Sequence, residues 1–389
     1  MESARQRGFG LYAGVPCSYL EPLINRAIED RQVRYVSSAN EGDAVAAAAG
    51  ACLGGEGGVA MMQNSGLGNA VSPLASLTWV FRFPVLLIVT LRGDPEIGDE
   101  PQHRLMGPIT TTLLDALRVP WELFPTEPEA VEPALARACD HMESERRPYA
   151  FVMRKGSVAP YELGREGAAR PRRPAPGSDR AVRRYAGGKA PDRRPSRAEA
   201  LERIVQATTG PGTVVIATTG YTGRELYAVA DRPNHLYMVG SMGCASSLGL
   251  GLALTRADLR VVVVDGDGAA LMRMGNLATV GAYGAANFTH IVLDNEVHDS
   301  TGGQETVSDA VSFAGIASAC GYGLALEGDD ISILDELFAA REAAGPRFAQ
   351  LKIKPGTRQG LPRPSVTPEQ VKERLMAHIR SENSASRAS

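Results

Sequence analysis

Cysteine is scarce and unpatterned. The 389 residues hold five, Cys17, Cys52, Cys139, Cys244 and Cys320, an odd number with no CxxC spacing. That argues against a disulfide framework and the usual zinc ligand sets, and it fits reduced thiols. No run of about 18 apolar residues is present, so no membrane-spanning helix is expected. The opening MESARQRGFGLYAGVP lacks the apolar stretch of a secretory signal, and a cytoplasmic protein is the expectation. Charge of one sign is lacking too. A formal net charge of −3 gives no electrostatic footprint for nucleic acid or an anionic membrane as partner.

What is present is globular: 44% hydrophobic and 22% charged residues, in a chain long enough for two domains. The first half alternates short β-type runs at 33–37, 58–62 and 84–91 with an Ala-rich helical stretch at 41–53. Alternation of this kind predicts a parallel sheet covered by helices. Ligands then gather at the loops after the strands, here 40–41, 63–69 and 92–103. Residues 165–195 carry ten Lys/Arg against three acids, are dense in Pro and Gly and show no apolar periodicity, and read as a solvated linker. The β/α pattern then restarts. Ser196 is placed to cap a helix to about residue 207. Strands are predicted at 213–217, 235–239, 260–264, 290–293 and 348–353, and the polar tail from about Ser381 is expected to fray.

Gly266-Asp267-Gly268 closes the four-valine strand. Its glycines allow close backbone approach to a ligand, and the helix that follows offers free N–H groups to an anion. Asn295 ends the next predicted strand, 28 positions after Asp267. Magnesium takes octahedral oxygen coordination from a few protein groups and substrate phosphates. Asp267, Asn295, the backbone carbonyl of Val297 and two phosphate oxygens fill most of such a shell. A lone GDG is common in α/β loops; the Asn at the following strand end is what singles this one out.

The segment GDGAALMRMGNLATVGAYGAANFTHIVLDN resembles the signature of thiamine-diphosphate enzymes, with Asp294 where a first Asn is usual. ANEGDAVAAAAG, MMQNSGLGNA, RGDPEIGDEPQH, TTGYTGREL, GSMGCASS and HDSTGGQ resemble the phosphonopyruvate decarboxylase family, to which sulfopyruvate decarboxylases are close. The resemblance covers about residues 10–164 and 211–356. It implies an α/β fold of two doubly wound parallel-sheet domains of the thiamine-diphosphate-binding type. These are a pyrimidine-binding domain at 1–164 and a diphosphate- and magnesium-binding domain at 196–380. The basic linker at 165–195 joins them, a polar tail occupies 381–389, and no central third domain is expected. Thiamine diphosphate and Mg2+ are the implied cofactors. The implied reaction is non-oxidative decarboxylation of 3-phosphonopyruvate to phosphonoacetaldehyde and CO2, in phosphonate biosynthesis. Sulfopyruvate or another 2-keto acid is the alternative substrate, and carboligation the alternative reaction. A catalytically silent cofactor-binding protein is the third reading.

The resemblance also implies roles. Glu41 matches the glutamate that hydrogen-bonds the cofactor's aminopyrimidine ring and activates it; on composition alone it reads as a carboxylate in a helix's first turn. Met242 matches the apolar residue supporting the bent cofactor. Thr218, Gly220, Thr222, Gly240, Ser241, Gly266, Gly268, Ala269 and Ala270 are candidates around the diphosphate. A keto acid with a second anionic group needs cationic or N–H-rich loops. Ser18, Asn64, Ser65, Asn69 and Arg92 are candidates in the first domain, Arg273 and Gln304 in the second. His103 and His298 are candidates to handle protons. Arg92 has a competing reading as an ion-pair partner of Asp94 or Asp99. Two departures stand out: Cys17 where some members carry Asp, and Glu296 where Gly is common, the latter adding negative charge near the metal. At least a homodimer is implied, with Glu41 and Asp267 contributed by different chains to each site.

Overall fold

The computed structural model describes residues 1–164, 182–185 and 187–386, with side chains through residue 382. The expected linker at 165–181 and 186, and the end of the expected tail at 387–389, lie outside the described residues. The chain divides into two compact units, Met1–Arg172 and Arg173–Ser389. No helix among the described residues is long and apolar enough to cross a membrane.

In the first unit, β1 (Phe9–Gly14), β2 (Arg34–Ser37), β3 (Gly57–Gln63), β4 (Leu86–Thr90), β5 (Trp121–Leu123) and β6 (Tyr149–Met153) form one sheet. Its order is β2-β1-β3-β4-β6-β5, and every pairing is parallel. Parallel strands are buried on both faces, so they read as unbroken apolar runs; all five positions of β4, LLIVT, are buried. The helix Glu41–Gly54 starts where the Asn40 side chain accepts the Gly42 N–H, and it stops at Gly55, whose φ is 91°. The helix is apolar on all sides, as an interior helix must be. Its alanines let it lie so close to β3 that a Cβ on Gly58 would sit 2.2 Å from the Ala48 carbonyl oxygen. The chain leaves β1 to one side for β2 and returns on the other for β3. This reversal puts the loops carrying Cys17 and Ser18, and Asn64 and Ser65, at the place where such sheets bind ligands.

The second unit holds β7 (Arg183–Arg184), β8 (Thr213–Ala217), β9 (His235–Tyr237), β10 (Arg260–Gly266), β11 (Phe288–Asp294), β14 (Leu324–Gly328) and β15 (Arg347–Lys352). They form a sheet in the order β7-β14-β15-β11-β10-β8-β9, again parallel throughout. A short antiparallel hairpin, β12 (Val297–His298) with β13 (Gln304–Glu305), follows β11. Val261 to Val264 are at most 1% exposed, and burying each contributes roughly 1.5–3 kcal/mol. Strand order reverses between β8 and β10. β10 and β11 end flush, Gly266 paired with Leu293, so Asp267 and Asn295 emerge from neighbouring strand ends.

The helix Arg197–Ala207 carries a full capping box: Ser196 accepts the Glu199 N–H, and the Glu199 carboxylate accepts the Ser196 N–H at 2.7 Å. Two expectations need correction. Residues 183–184 are not solvated linker but edge strand β7, and beside them Tyr185 donates to the Glu327 carbonyl at 2.9 Å. Lys189 then docks on Asp329 and Asp330. Nor does the chain fray at Ser381. The helix Pro368–Ser386 runs through it, and Glu382 accepts the Gly212 N–H at 2.8 Å.

Candidate active site

Loops at the β8/β10 reversal line an open groove. Thr218, Gly220 and Thr222 reach it from the end of β8, and Met242 from the loop after β9. Gly266, Asp267, Gly268 and Ala269 come from the end of β10, with Asn295, Val297 and His298 beyond β11. Most residues expected to serve cofactor and metal thus converge within one unit. Ser241 and Ala270 are buried but are not on the groove wall. Gln304 pairs with His298 across the hairpin and accepts the Thr301 hydroxyl at 2.9 Å.

Asp267 is 2% exposed and accepts the Thr306 hydroxyl at 2.5 Å. Burial pushes its pKa up, and the charge of Asp294 adds to the rise; a cation beside it would relieve both. Asn295 donates its NH2 to Asp299 at 2.6 Å, which leaves its amide oxygen as the group to offer a metal. Among the described residues no cluster of three or more His, Cys, Asp or Glu side chains could hold a metal. The Asp267 carboxylate and the Asn295 amide oxygen on the groove are part of the mixed oxygen set that magnesium accepts. The Thr218 hydroxyl is buried without a hydrogen-bond partner among the described residues, a donor suited to a phosphate oxygen. A Cβ on Gly268 would lie 2.5 Å from the His298 ring and 3.0 Å from the Met242 methyl, so only glycine keeps this cradle open. The donor set, the orphaned hydroxyl and the cradle all fit a magnesium–diphosphate group.

Both acidic neighbours of Asn295 are paired with cations of the fold, which offsets the negative charge expected from Glu296. Asp294, fully buried, accepts from the Ser308 hydroxyl, the Gln350 amide and the Lys352 ammonium, each at 2.8 Å. Glu296 accepts from Lys352 and Arg194, both at 2.8 Å. Its φ of 65° lies in the left-handed region that glycine adopts without strain.

In the first unit Glu41 occupies the first helical turn, half-buried. Asn69 donates to its Oε2 at 2.8 Å, and a Cβ on Gly66 would lie 2.2 Å from Oε1, so the helical turns after β3, Asn64–Gly66 and Leu67–Pro73, wrap the carboxylate. Arg92 is gripped by Asp99 at 2.7 and 2.6 Å, lies 4.7 Å from the Tyr19 ring centroid and reaches the Ser18 hydroxyl at 3.3 Å. Asp94 takes Arg154 instead. Ser18 and Arg92 share a polar depression with Lys155, a residue that pattern reading passed over because one exposed lysine carries no signal. Asn64, expected among the substrate contacts, is turned into the fold. It is fully buried, donates to the Arg92 carbonyl at 2.8 Å and the Thr110 hydroxyl at 2.9 Å, and accepts the Ser65 N–H at 3.1 Å. Ser65 is exposed and accepts from Gln63 at 2.6 Å. His103 is buried, its Nδ1 without a partner among the described residues. Cys17 is buried, its Sγ 3.5 Å from the Thr90 hydroxyl.

Comparison with known proteins matches residues 2–113 to the N-terminal TPP binding domain of thiamine pyrophosphate enzymes, and residues 218–349 to their C-terminal TPP binding domain. The chain is 47% identical over 375 residues to the phosphonopyruvate decarboxylase of Streptomyces viridochromogenes, covering 96% of this chain and 92% of the relative. It is 39% identical over 184 residues to the sulfopyruvate decarboxylase subunit beta of Methanothermobacter thermautotrophicus, covering 47% of this chain and 95% of that subunit. The crystal structure of benzoylformate decarboxylase from Polynucleobacter necessarius aligns with a TM-score of 0.68 at 13% identity, over 92% of this chain and 98% of that one. That last likeness is one of fold alone.

Proposed function

The chain belongs to the thiamine-diphosphate-dependent phosphonopyruvate decarboxylase family, and from that premise we propose that it converts 3-phosphonopyruvate to phosphonoacetaldehyde and CO2. The observation that carries this reading is the near-full-length match at 47% identity; the groove supplies its chemistry. Bound thiamine diphosphate supplies a carbon nucleophile for the keto carbonyl and an electron sink for the bond that breaks. Asp267, Asn295 and the Val297 carbonyl would hold its Mg2+. Thr218, Gly220, Thr222, Gly266, Gly268 and Ala269 flank its diphosphate, and Met242 supports its rings. Glu41 is the proton-handling carboxylate, oriented by Asn69 at Oε2. His298 and His103 hold protons for the product carbon on their ring nitrogens. Ser18, Ser65, Arg92 and Gln304 serve the substrate's carboxylate and phosphonate.

The assembly that goes with this reading is at least a homodimer, Glu41 and Asp267 coming from different chains in each site; activity that survives complete dissociation on dilution would sink it. A cytoplasmic setting also belongs to it. A second reading, sulfopyruvate as substrate, draws on the 39% identity to a sulfopyruvate decarboxylase subunit. One experiment separates the two. Protein loaded with magnesium and thiamine diphosphate is offered phosphonopyruvate, sulfopyruvate and pyruvate in turn, and CO2 and aldehyde are measured. Phosphonopyruvate is expected to turn over fastest; its failure with cofactor-loaded protein removes the leading substrate.

A further inference from the structure

We propose that Arg197 is a positioning residue for the metal site, acting through Asp299 to hold the Asn295 side chain with its amide oxygen toward the groove. The inference rests on the cofactor reading of that groove. Arg197 opens the helix Arg197–Ala207 and is only 6% exposed. One guanidinium nitrogen donates to the Glu225 carboxylate at 2.9 Å and to the Gly356 carbonyl at 3.3 Å. The other donates to Asp299 Oδ2 at 2.6 Å. The same Oδ2 accepts the Asn295 amide at 2.6 Å, and the Gly356 N–H lies 3.1 and 3.2 Å from the two carboxylate oxygens. Arg197, Asn295 and Asp299 all line the groove.

The chemistry of the amide makes this arrangement directional. A primary amide has a donor end and an acceptor end of nearly the same shape, and only the acceptor end can bind a cation. An ionised carboxylate accepts and cannot donate. Asp299 therefore selects the orientation in which Asn295 turns its NH2 away from the metal position. A flip would set oxygen against oxygen at Asp299 and NH2 against the cation. Asp299 must itself be held, and the buried guanidinium of Arg197 does this by spanning Asp299 and Glu225 with two nitrogens of one plane, which a point-charge ammonium cannot reproduce. Glu225, 2% exposed and also receiving the Thr357 hydroxyl at 2.6 Å, balances the guanidinium on its far side.

The test is the magnesium dependence of thiamine diphosphate binding, followed by calorimetry on the full-length protein without turnover. Arg197→Lys and Asp299→Asn are each expected to raise the magnesium concentration for half-saturation about 10–100-fold, the usual cost of losing a ligand's supporting partner. The double variant is expected to lose little more, because the two residues act as one unit. Glu225→Gln keeps an acceptor for Arg197 while removing a charge; it is expected to lower the melting temperature and leave the magnesium requirement within about twofold of the wild type. Asp299→Asn carries the test should Arg197→Lys fail to fold. Wild-type binding with an unchanged magnesium requirement in Asp299→Asn overturns the positioning role alone. An equal rise in Glu225→Gln overturns it too, by assigning the effect to stability. Absence of magnesium-dependent binding by the wild type overturns the cofactor reading beneath it.

Discussion

The two sheets reverse their strand order in the same manner, yet the loops at the two reversals are finished differently. Between β1 and β3 the polar groups close on one another: Asn64 on the Arg92 carbonyl and Thr110, Gln63 on Ser65, Arg92 on Asp99. Between β8 and β10 they do so only in part: Asn295 closes on Asp299 and Asp267 on Thr306, but the closure is incomplete. The Thr218 hydroxyl is buried without a partner among the described residues, and a buried carboxylate faces a groove that a single Cβ at Gly268 would obstruct. Leaving a buried polar group unmade costs about 1–3 kcal/mol, a cost that a ligand satisfying it removes. The first reversal is therefore largely a scaffold, which holds Glu41 and leaves Ser18 and Arg92 on a polar depression, and the second is the more open receptacle.

The comparison predicts opposite phenotypes for the two carboxylates. Glu41→Gln is expected to lower turnover by about 10²–10⁴-fold, as removal of a proton-transfer group does, with magnesium–cofactor affinity nearly unchanged by calorimetry. An unaffected rate would leave the first reversal as scaffold only. Asp267→Ala is expected to act on binding itself, weakening magnesium-dependent cofactor affinity by at least the roughly 10–100-fold that loss of a mere supporting partner costs. Adding EDTA to the wild type should reproduce that loss, and unchanged affinity in the variant would erase the contrast. Next in size is Lys352→Met. It strands the fully buried Asp294 beside the receptacle and is expected to cost about 3–5 kcal/mol in urea unfolding. Asp294→Asn in the same chain should return most of it; no recovery would mean that Lys352 serves something other than that charge.

Much of this contrast was legible in the residues, and what was not has a physical reason. The strand at 213–217 is found as expected, because a strand buried on both faces reads as a near-continuous apolar run, here Val214 to Ala217. The convergence of Asp267 with Asn295 follows from two adjacent strands ending flush. By contrast β7 is a pair of arginines. An edge strand needs only backbone partners, and composition says nothing of those. The internal closure of Asn64 joins residues 28 and 46 positions apart, and the pairing of Lys352 with Asp294 and Glu296 spans 58 and 56. Such pairings arise from packing, so an exposed loop polar and a buried structural one look alike beforehand.

The finest test of the scaffold reading is Gly66→Ala. A Cβ there would lie 2.2 Å from Glu41 Oε1 and 2.3 Å from its carboxyl carbon. The group that must move is the end of a flexible side chain, so the backbone and the fold should survive and the melting temperature should change little. The carboxylate would turn out of its place and lose the Asn69 bond. A charge-assisted hydrogen bond is worth about 1.5–3 kcal/mol, so turnover should fall roughly 10- to 100-fold while cofactor affinity holds. The same substitution made on Glu41→Gln should then add almost nothing, since the group it displaces is already disabled. Full turnover in Gly66→Ala would mean that Glu41 reaches its working position without the loop. The first reversal would then resemble the second in topology alone, and its closed hydrogen bonds would serve stability rather than the aim of the carboxylate.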